Sequence, residues 1–281
     1  MATSISSDGY QEKLLLVRSP SPLLKDGLVT HIADERSTFS WKDALEQWNQ
    51  YVTHFLNHGW KVVTVPPAEH LPDSVFVEDT VVVFPPVLPD APTLIVLSNP
   101  GAPERKEEVE GTRETMRQLA TDRPDLKVVA ITGAGTLDGG DVLKDAHARV
   151  VYVGSGARTN PEGIRQLRAF LRPLGYVVKA VPMTKALHLK SAATALPDGT
   201  VLLHRDFIDD VTVFPSYIEV PEEHGVAVVA LDDETVIMSS NAPRTAEMIR
   251  VRGYKVVTVN ISEYQKLEGC PTCLSVRVRR R

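Results

Sequence analysis

One recurring pattern constrains the architecture of this chain more than anything else in it. A helical stretch ends in Gly plus an aromatic residue, and a β-branched strand follows at once. The copies are Asn57-His-Gly-Trp-Lys-Val-Val-Thr-Val-Pro66, Pro173-Leu-Gly-Tyr-Val-Val-Lys-Ala-Val-Pro182 and Val251-Arg-Gly-Tyr-Lys-Val-Val-Thr-Val-Asn260. Glycine closes a helix in the left-handed conformation, and the Val-rich run after it reads as a strand. The segments before each copy have helical spacing. Trp41 to Leu56 sets Leu45, Trp48, Val52, Phe55 and Leu56 on one side. Pro161 to Leu174 carries Ile164, Leu167, Phe170 and Leu171, and Pro243 to Val251 carries Ala246 and Ile249. A weaker copy runs from Glu104 to Ala120 and into Leu126-Lys-Val-Val-Ala-Ile131.

Short strands lie between these units, at Val75–Phe84, Thr93–Leu97, Val150–Val153 and Thr200–His204. The chain thus repeats strands, helix, strand at intervals of roughly 50–70 residues, which suggests an array or propeller. Simple alternation of a doubly wound sheet fits less well, because hairpin-like strand pairs separate the helices. The Pro-rich stretch 85–92 reads as a turn-rich connection and no linker interrupts the chain. One domain over residues 1–281 is expected, with residues 1–12 as a flexible extension.

Composition excludes several classes. Hydrophobic residues at 43% and charged residues at 24% suit a soluble globular protein. A net charge of −5 does not suit a nucleic-acid binder. The basic end, Arg277-Val-Arg-Arg-Arg281, reads as a solvated terminus. No apolar run approaches the roughly 20 residues of a membrane span, and the N-terminus lacks a signal-peptide pattern. Two cysteines form no disulfide framework. A reducing, cytoplasmic setting follows, and a homodimer is compatible with it.

Some residues stand out as candidates for chemistry. Glu78 and Asp79 are neighbours in a β-rich run with Asp73 just upstream; on a strand they would face opposite ways. Hairpin polarity accounts for them equally well. In Gly135-Thr-Leu-Asp-Gly-Gly-Asp-Val142 two carboxylates flank a Gly-Gly pair, either to let backbone approach a ligand or to form a tight turn. His188 sits between leucines in a locally apolar strand, as a structural histidine also would. Cys270-Pro-Thr-Cys273 has three readings: half a zinc site, a redox pair, or one nucleophilic thiol with an incidental neighbour.

Taken together and in order, five segments resemble one known family. Asp73-Ser-Val-Phe-Val-Glu-Asp79, Thr136-Leu-Asp-Gly-Gly-Asp-Val142, Arg158-Thr-Asn160, Leu187-His-Leu-Lys190 and Thr272-Cys-Leu-Ser275 look like dimethylarginine dimethylaminohydrolase, of the pentein or guanidino-group modifying superfamily. The resemblance runs from about Leu14 to Val278. It implies an α/β fold, a pentein α/β-propeller of five ββαβ modules around a pseudo-fivefold axis, although only four units are visible in the repeats. It implies a hydrolase that converts Nω-methylated arginine to citrulline plus an amine through a covalent cysteine thiouronium. Arginine deiminase-like hydrolysis, amidino transfer and a non-catalytic binding role occur on similar folds.

By the same resemblance Cys273 is the nucleophile and His188 the general acid/base. Asp79 and Asp138 engage the guanidinium or the histidine, and Asp73, Glu78 and Arg158 bind substrate. Leu28 and Leu267 present backbone carbonyls to it. No metal or organic cofactor is required, and the only partner implied is a small guanidine. One departure stands out. The family reads Arg-Pro-Gly-Ala where this chain has Asn99-Pro-Gly-Ala102. Asn99 carries no charge for a substrate α-carboxylate, a loss of roughly 1.5–3 kcal/mol, with Arg158 or Arg105 left as carboxylate partners.

Overall fold

The computed structural model describes residues 12–32, 35–86, 91–145 and 148–280. The expected N-terminal extension up to residue 11 and positions 87–90 of the Pro-rich connection lie outside these residues. Glu12 already opens the first strand.

Module one contains β1 (Glu12–Val17), α1 (Trp41–Asn57) and β2 (Lys61–Thr64). Module two contains β3 (Val81–Phe84), β4 (Thr93–Leu97), α2 (Glu108–Ala120) and β5 (Leu126–Ala130). Module three contains β6 (Val142–Asp145), β7 (Val150–Ser155), α3 (Pro161–Leu171) and β8 (Val177–Pro182). A single helical turn, α4 (Leu189–Ala192), leads into module four, with β9 (Ala193–Ala195), β10 (Val201–Leu203) and β11 (Tyr217–Glu219). Module five contains β12 (Val228–Ala230), β13 (Thr235–Ser239), α5 (Pro243–Val251) and β14 (Lys255–Val259). The chain then passes through α6 (Ser262–Gln265) to β15 (Val276–Arg280).

Each module is a three-stranded sheet whose middle strand pairs antiparallel on one side and parallel on the other. Module one lacks its own first strand, and β15 supplies it by pairing antiparallel with β1, Leu16 opposite Val276. The basic end is therefore a strand and not a solvated terminus. Val276 and Val278 are buried on one of its faces, and the arginines alternate with them.

The packing closes a ring. Middle-strand side chains alternate between faces, and each face feeds a different apolar cluster. Leu15 and Val17 join module five residues Val229, Ile237 and Val259, whereas Leu14 and Leu16 join module two residues Ile95 and Leu97. The remaining clusters join modules two and three, three and four, and four and five. Five interfaces between five modules make the expected pentein propeller. Each fully buried aliphatic side chain contributes about 1.5–3 kcal/mol.

The helix signals hold in most places. Asn160 caps α3 by accepting from Gly163 N at 2.8 Å, and Gly59, Gly175 and Gly253 all take positive φ after their helices. On α1 the buried face is Ala44, Gln47, Tyr51, Val52 and Phe55, about one position from that expected; Leu56 is exposed. The module invisible in the repeats is the fourth. Its parallel strands β10 and β11 are joined by two 3-10 turns, Arg205–Phe207 and Val211–Val213, where the others have a helix.

Candidate active site

Three irregular segments converge at one end of the ring. Residues 75–80 are not the strand expected. They lie in consecutive 3-10 turns, Pro72–Val75 and Val77–Thr80, before β3 starts at Val81. The turns send Glu78 and Asp79 into different surroundings, as neighbours on a strand also would. His188 is likewise not on a strand but in the connection that enters α4. Leu189 anchors it, fully buried, with its N–H donating to Asp141 Oδ1 at 3.0 Å. Cys273 lies in the 3-10 turn Pro271–Leu274, between module five and the closing strand. Tyr51 of α1 pins that turn by donating to Pro271 O at 2.8 Å and by meeting Ser275 Oγ at 2.7 Å.

A small cavity is lined by Cys273, His188, Asp79, Asp73, Arg158, Leu28 and Leu267, with Phe76, Arg105, Leu187, Glu268 and Gly269 completing it. Seven of the residues singled out from sequence are thus brought together. Asp138 lies directly behind, fully buried. Its Oδ2 meets His188 Nε2 at 3.0 Å and accepts from Arg158 Nη1 at 3.3 Å, while its Oδ1 accepts from Gly101 N at 2.8 Å. Asp79 Oδ1 accepts from Gly140 N at 2.8 Å and stands 3.8 Å from His188 Nδ1. The Gly-Gly pair is explained by these contacts. A Cβ on Gly140 would lie 2.7 Å from both Asp79 Oδ1 and His188 Nδ1, so glycine lets the backbone approach these two side chains rather than a ligand.

Besides Asp138, two residues are not brought into the cavity. Glu78 is buried one layer behind, paired with Lys190 Nζ. Asn99 turns its amide to Gly135 O at 2.6 Å and holds the loop before Leu137. Arg105 is in turn committed to the protein. It meets Glu108 through Nε at 3.1 Å and Nη2 at 2.7 Å, and Asp79 Oδ2 through Nη1 at 2.5 Å. Its Nη2 also reaches the carbonyls of Asp73 and Phe76 at 3.3 Å. Arg18, itself buried, donates to Glu108 O from both Nη atoms at 3.1 Å. This chain of buried ions fixes the loop that carries Asp79. Sequence reading gave Arg105 only as a substitute carboxylate partner and missed Arg18 and Glu108. The one local signal was the three-residue spacing of Arg105 and Glu108.

The charges set protonation. Burial disfavours the His188 imidazolium, but Asp79, Asp138 and Asp141 outweigh it and raise its pKa to about 9. Burial likewise opposes charge on Asp79, yet His188 and Arg105 hold its carboxyl well below the usual range. The Cys273 thiol is pushed up, first by the contact it makes with Cys270, then by burial and by Glu78 and Asp79. The same contact pushes Cys270 down. Among the described residues, Asp79, Asp138 and His188 alone have the mutual spacing of metal ligands. Both carboxylates already face a guanidinium, Arg105 or Arg158, which matches them to cations of planar N–H donors.

A family described as N,N dimethylarginine dimethylhydrolase, eukaryotic, matches residues 29–212. A dimethylarginine dimethylaminohydrolase of Streptomyces coelicolor is 48% identical over 95% of this chain and 97% of its own length. The chain belongs to the dimethylarginine dimethylaminohydrolase family. Among solved structures of the family, that of a Pseudomonas aeruginosa mutant complexed with citrulline superposes with a TM-score of 0.81 at 33% identity, covering 95% of this chain and 99% of that one. Another dimethylarginine dimethylaminohydrolase, an adduct with S-methyl-L-thiocitrulline, superposes with the same TM-score at 32% identity over 95% and 100%.

Proposed function

We propose that this chain hydrolyses Nω-methylated arginine to citrulline and methylamine or dimethylamine, with Cys273 as nucleophile and His188 as general acid and then base. The observation that carries this reading is one cavity bounded by a thiol, an imidazole held between two carboxylates, and a further arginine. Asp79 fixes the plane of the substrate guanidinium, whose positive charge favours the Cys273 thiolate that the Cys270 contact, burial and nearby carboxylates oppose before substrate binds. The thiolate attacks the central carbon. The C–N bond to the methylated nitrogen breaks as His188, protonated at rest, donates to the departing amine. His188 then takes a proton from water, water attacks the thiouronium, and the C–S bond breaks to give the ureido product and free Cys273.

Arg158 receives the substrate carboxylate, and Asp73 receives the amine beside the Leu28 backbone, whose N–H donates to Asp73 Oδ2 at 3.0 Å. Asn99 has no part in that grip, because its amide holds the 133–135 loop. One protomer carries every residue of the site. Among the described residues no helix is long and apolar enough to cross a membrane, and a chain of this length with two cysteines fits a cytoplasmic location. Profiling monomethylated and dimethylated arginine, arginine and agmatine tests the reading by product. Citrulline with methylamines is expected from the methylated arginines. Ammonia from arginine as the faster reaction would replace this reading with a deiminase.

Asp138 is a positioning residue in this scheme, and Asp138→Asn has its own signature. Removing a carboxylate that stabilises the imidazolium lowers the His188 pKa. The alkaline limb of kcat/KM, set near the His188 value of about 9, is expected to move down by about one unit or more. A merely structural loss would lower the profile without moving that limb.

A further inference from the structure

The proposed reaction needs one thiol, yet two lie in contact. Cys270 Sγ and Cys273 Sγ are 3.2 Å apart, and Cys273 N donates to Cys270 O at 3.0 Å across one tight turn. A turn of this kind keeps its end Cα atoms within ~7 Å, which overlaps the roughly 4.4–6.8 Å that a disulfide spans. Zinc capture does not account for the pair, because the metal-like group among the described residues contains neither cysteine.

The two sulfurs also face different spaces. Cys273 lines the substrate cavity. Half-buried Cys270 lines a second, larger cavity, which Cys273 does not touch. Leu187, Glu268 and Gly269 are common to both linings and form the wall between them. Glu268 is fixed there in a left-handed conformation, φ 59°, with its carboxylate accepting from Thr30 N at 2.6 Å and His31 N at 2.7 Å. A small oxidant or a reducing dithiol therefore has a route to Cys270 that does not pass through the substrate site.

We propose that Cys270 and Cys273 are a reversible modification site, at which hydrogen peroxide closes a disulfide that withdraws the nucleophile and a dithiol restores it. The proposal rests on Cys273 being that nucleophile. A Cys270 thiolate attacks one peroxide oxygen, the O–O bond breaks, and the sulfenic acid forms with loss of hydroxide. The Cys273 sulfur attacks the sulfenic sulfur, the S–O bond breaks, and a second hydroxide leaves. With the two thiol protons the products are one disulfide and two waters; the thiols are oxidised and the peroxide is reduced. Closing from 3.2 Å to ~2.05 Å takes side-chain rotation within the turn. An adjacent second thiol that resolves the sulfenic acid also keeps the nucleophile from irreversible oxidation.

The full-length protein is treated with hydrogen peroxide, alkylated and weighed intact, with turnover followed in parallel. The expected product is lighter by about 2 Da, takes no alkyl label, loses turnover in proportion to that species, and recovers both on adding dithiothreitol. Cys270→Ala, compared with its own untreated activity, is expected instead to gain about 32 or 48 Da and to lose turnover permanently. A native chain that gains oxygen and is not rescued by dithiothreitol overturns the disulfide and leaves the nucleophile assignment standing. A disulfide that forms with turnover unchanged overturns the switch and the assignment of Cys273 together.

Discussion

Cys273→Ser is expected to lower citrulline formation by at least ~10⁴-fold, the scale seen when a catalytic nucleophile is removed from an intact site. The hydroxyl is a far weaker acid than the thiol. The Cys270 contact raises the Cys273 pKa most, and burial, Glu78 and Asp79 add to it; burial and these carboxylates disfavour an alkoxide as well. The bound guanidinium compensates for a thiolate but not for so basic an anion. Substrate recognition stays, because Asp79, Asp73 and Arg158 are untouched and a serine fits the same turn. The variant is expected to bind substrate with nearly native affinity and to unfold cooperatively, as calorimetry will show. Citrulline production above about one hundredth of native would remove Cys273 from the nucleophile's role.

Where sequence reading succeeded and where it fell short has a common physical cause. Repeats that bring their own helix announce themselves through period and through a terminal glycine, so modules one, two, three and five were legible. Module four carries its parallel crossover on two 3-10 turns, which leave no period. The basic end of the closing strand reads as solvated because its partner β1 lies at the other end of the chain, although alternation of Val276 and Val278 with arginines is a strand signal. The site divides in the same way. Asp73, Asp79, Arg158, His188 and Cys273 touch the cavity from compact motifs and were found through them. The chain from Arg18 through Glu108 and Arg105 to Asp79 is marked locally only by the three-residue spacing of Arg105 and Glu108; its links to Arg18 and Asp79 join positions far apart in sequence. Glu78 and Asn99 are the converse. They belong to the right segments, yet the 3-10 turn and the loop before Leu137 aim them at Lys190 and at Gly135. A motif identifies a segment, and only the local backbone decides which of its side chains meets the ligand.

His188→Ala separates the two halves of the reaction and carries the second large effect. Each proton transfer by a positioned acid or base contributes ~10²–10⁴-fold, and His188 serves both, so turnover of methylated arginine is expected to fall to the detection limit. The two steps respond differently to a change of leaving group. An amine must be protonated to depart, whereas a thiol departs as a stable anion. With an S-alkyl isothiourea analogue of the substrate, the first step no longer needs His188, but hydrolysis of the thiouronium still does. His188→Ala should therefore accumulate covalent adduct on Cys273, visible as a gain in intact mass and absent when Cys273 is also replaced. Arg105 and Arg158 continue to neutralise Asp79 and Asp138 in the variant, which keeps the vacated site from unfolding the ring. An analogue that turns over at the native rate in this variant would show that water is activated by another group. No adduct despite intact analogue binding would show that His188 prepares the thiolate itself, in which case its partners Asp79 and Asp138 tune the nucleophile rather than the acid.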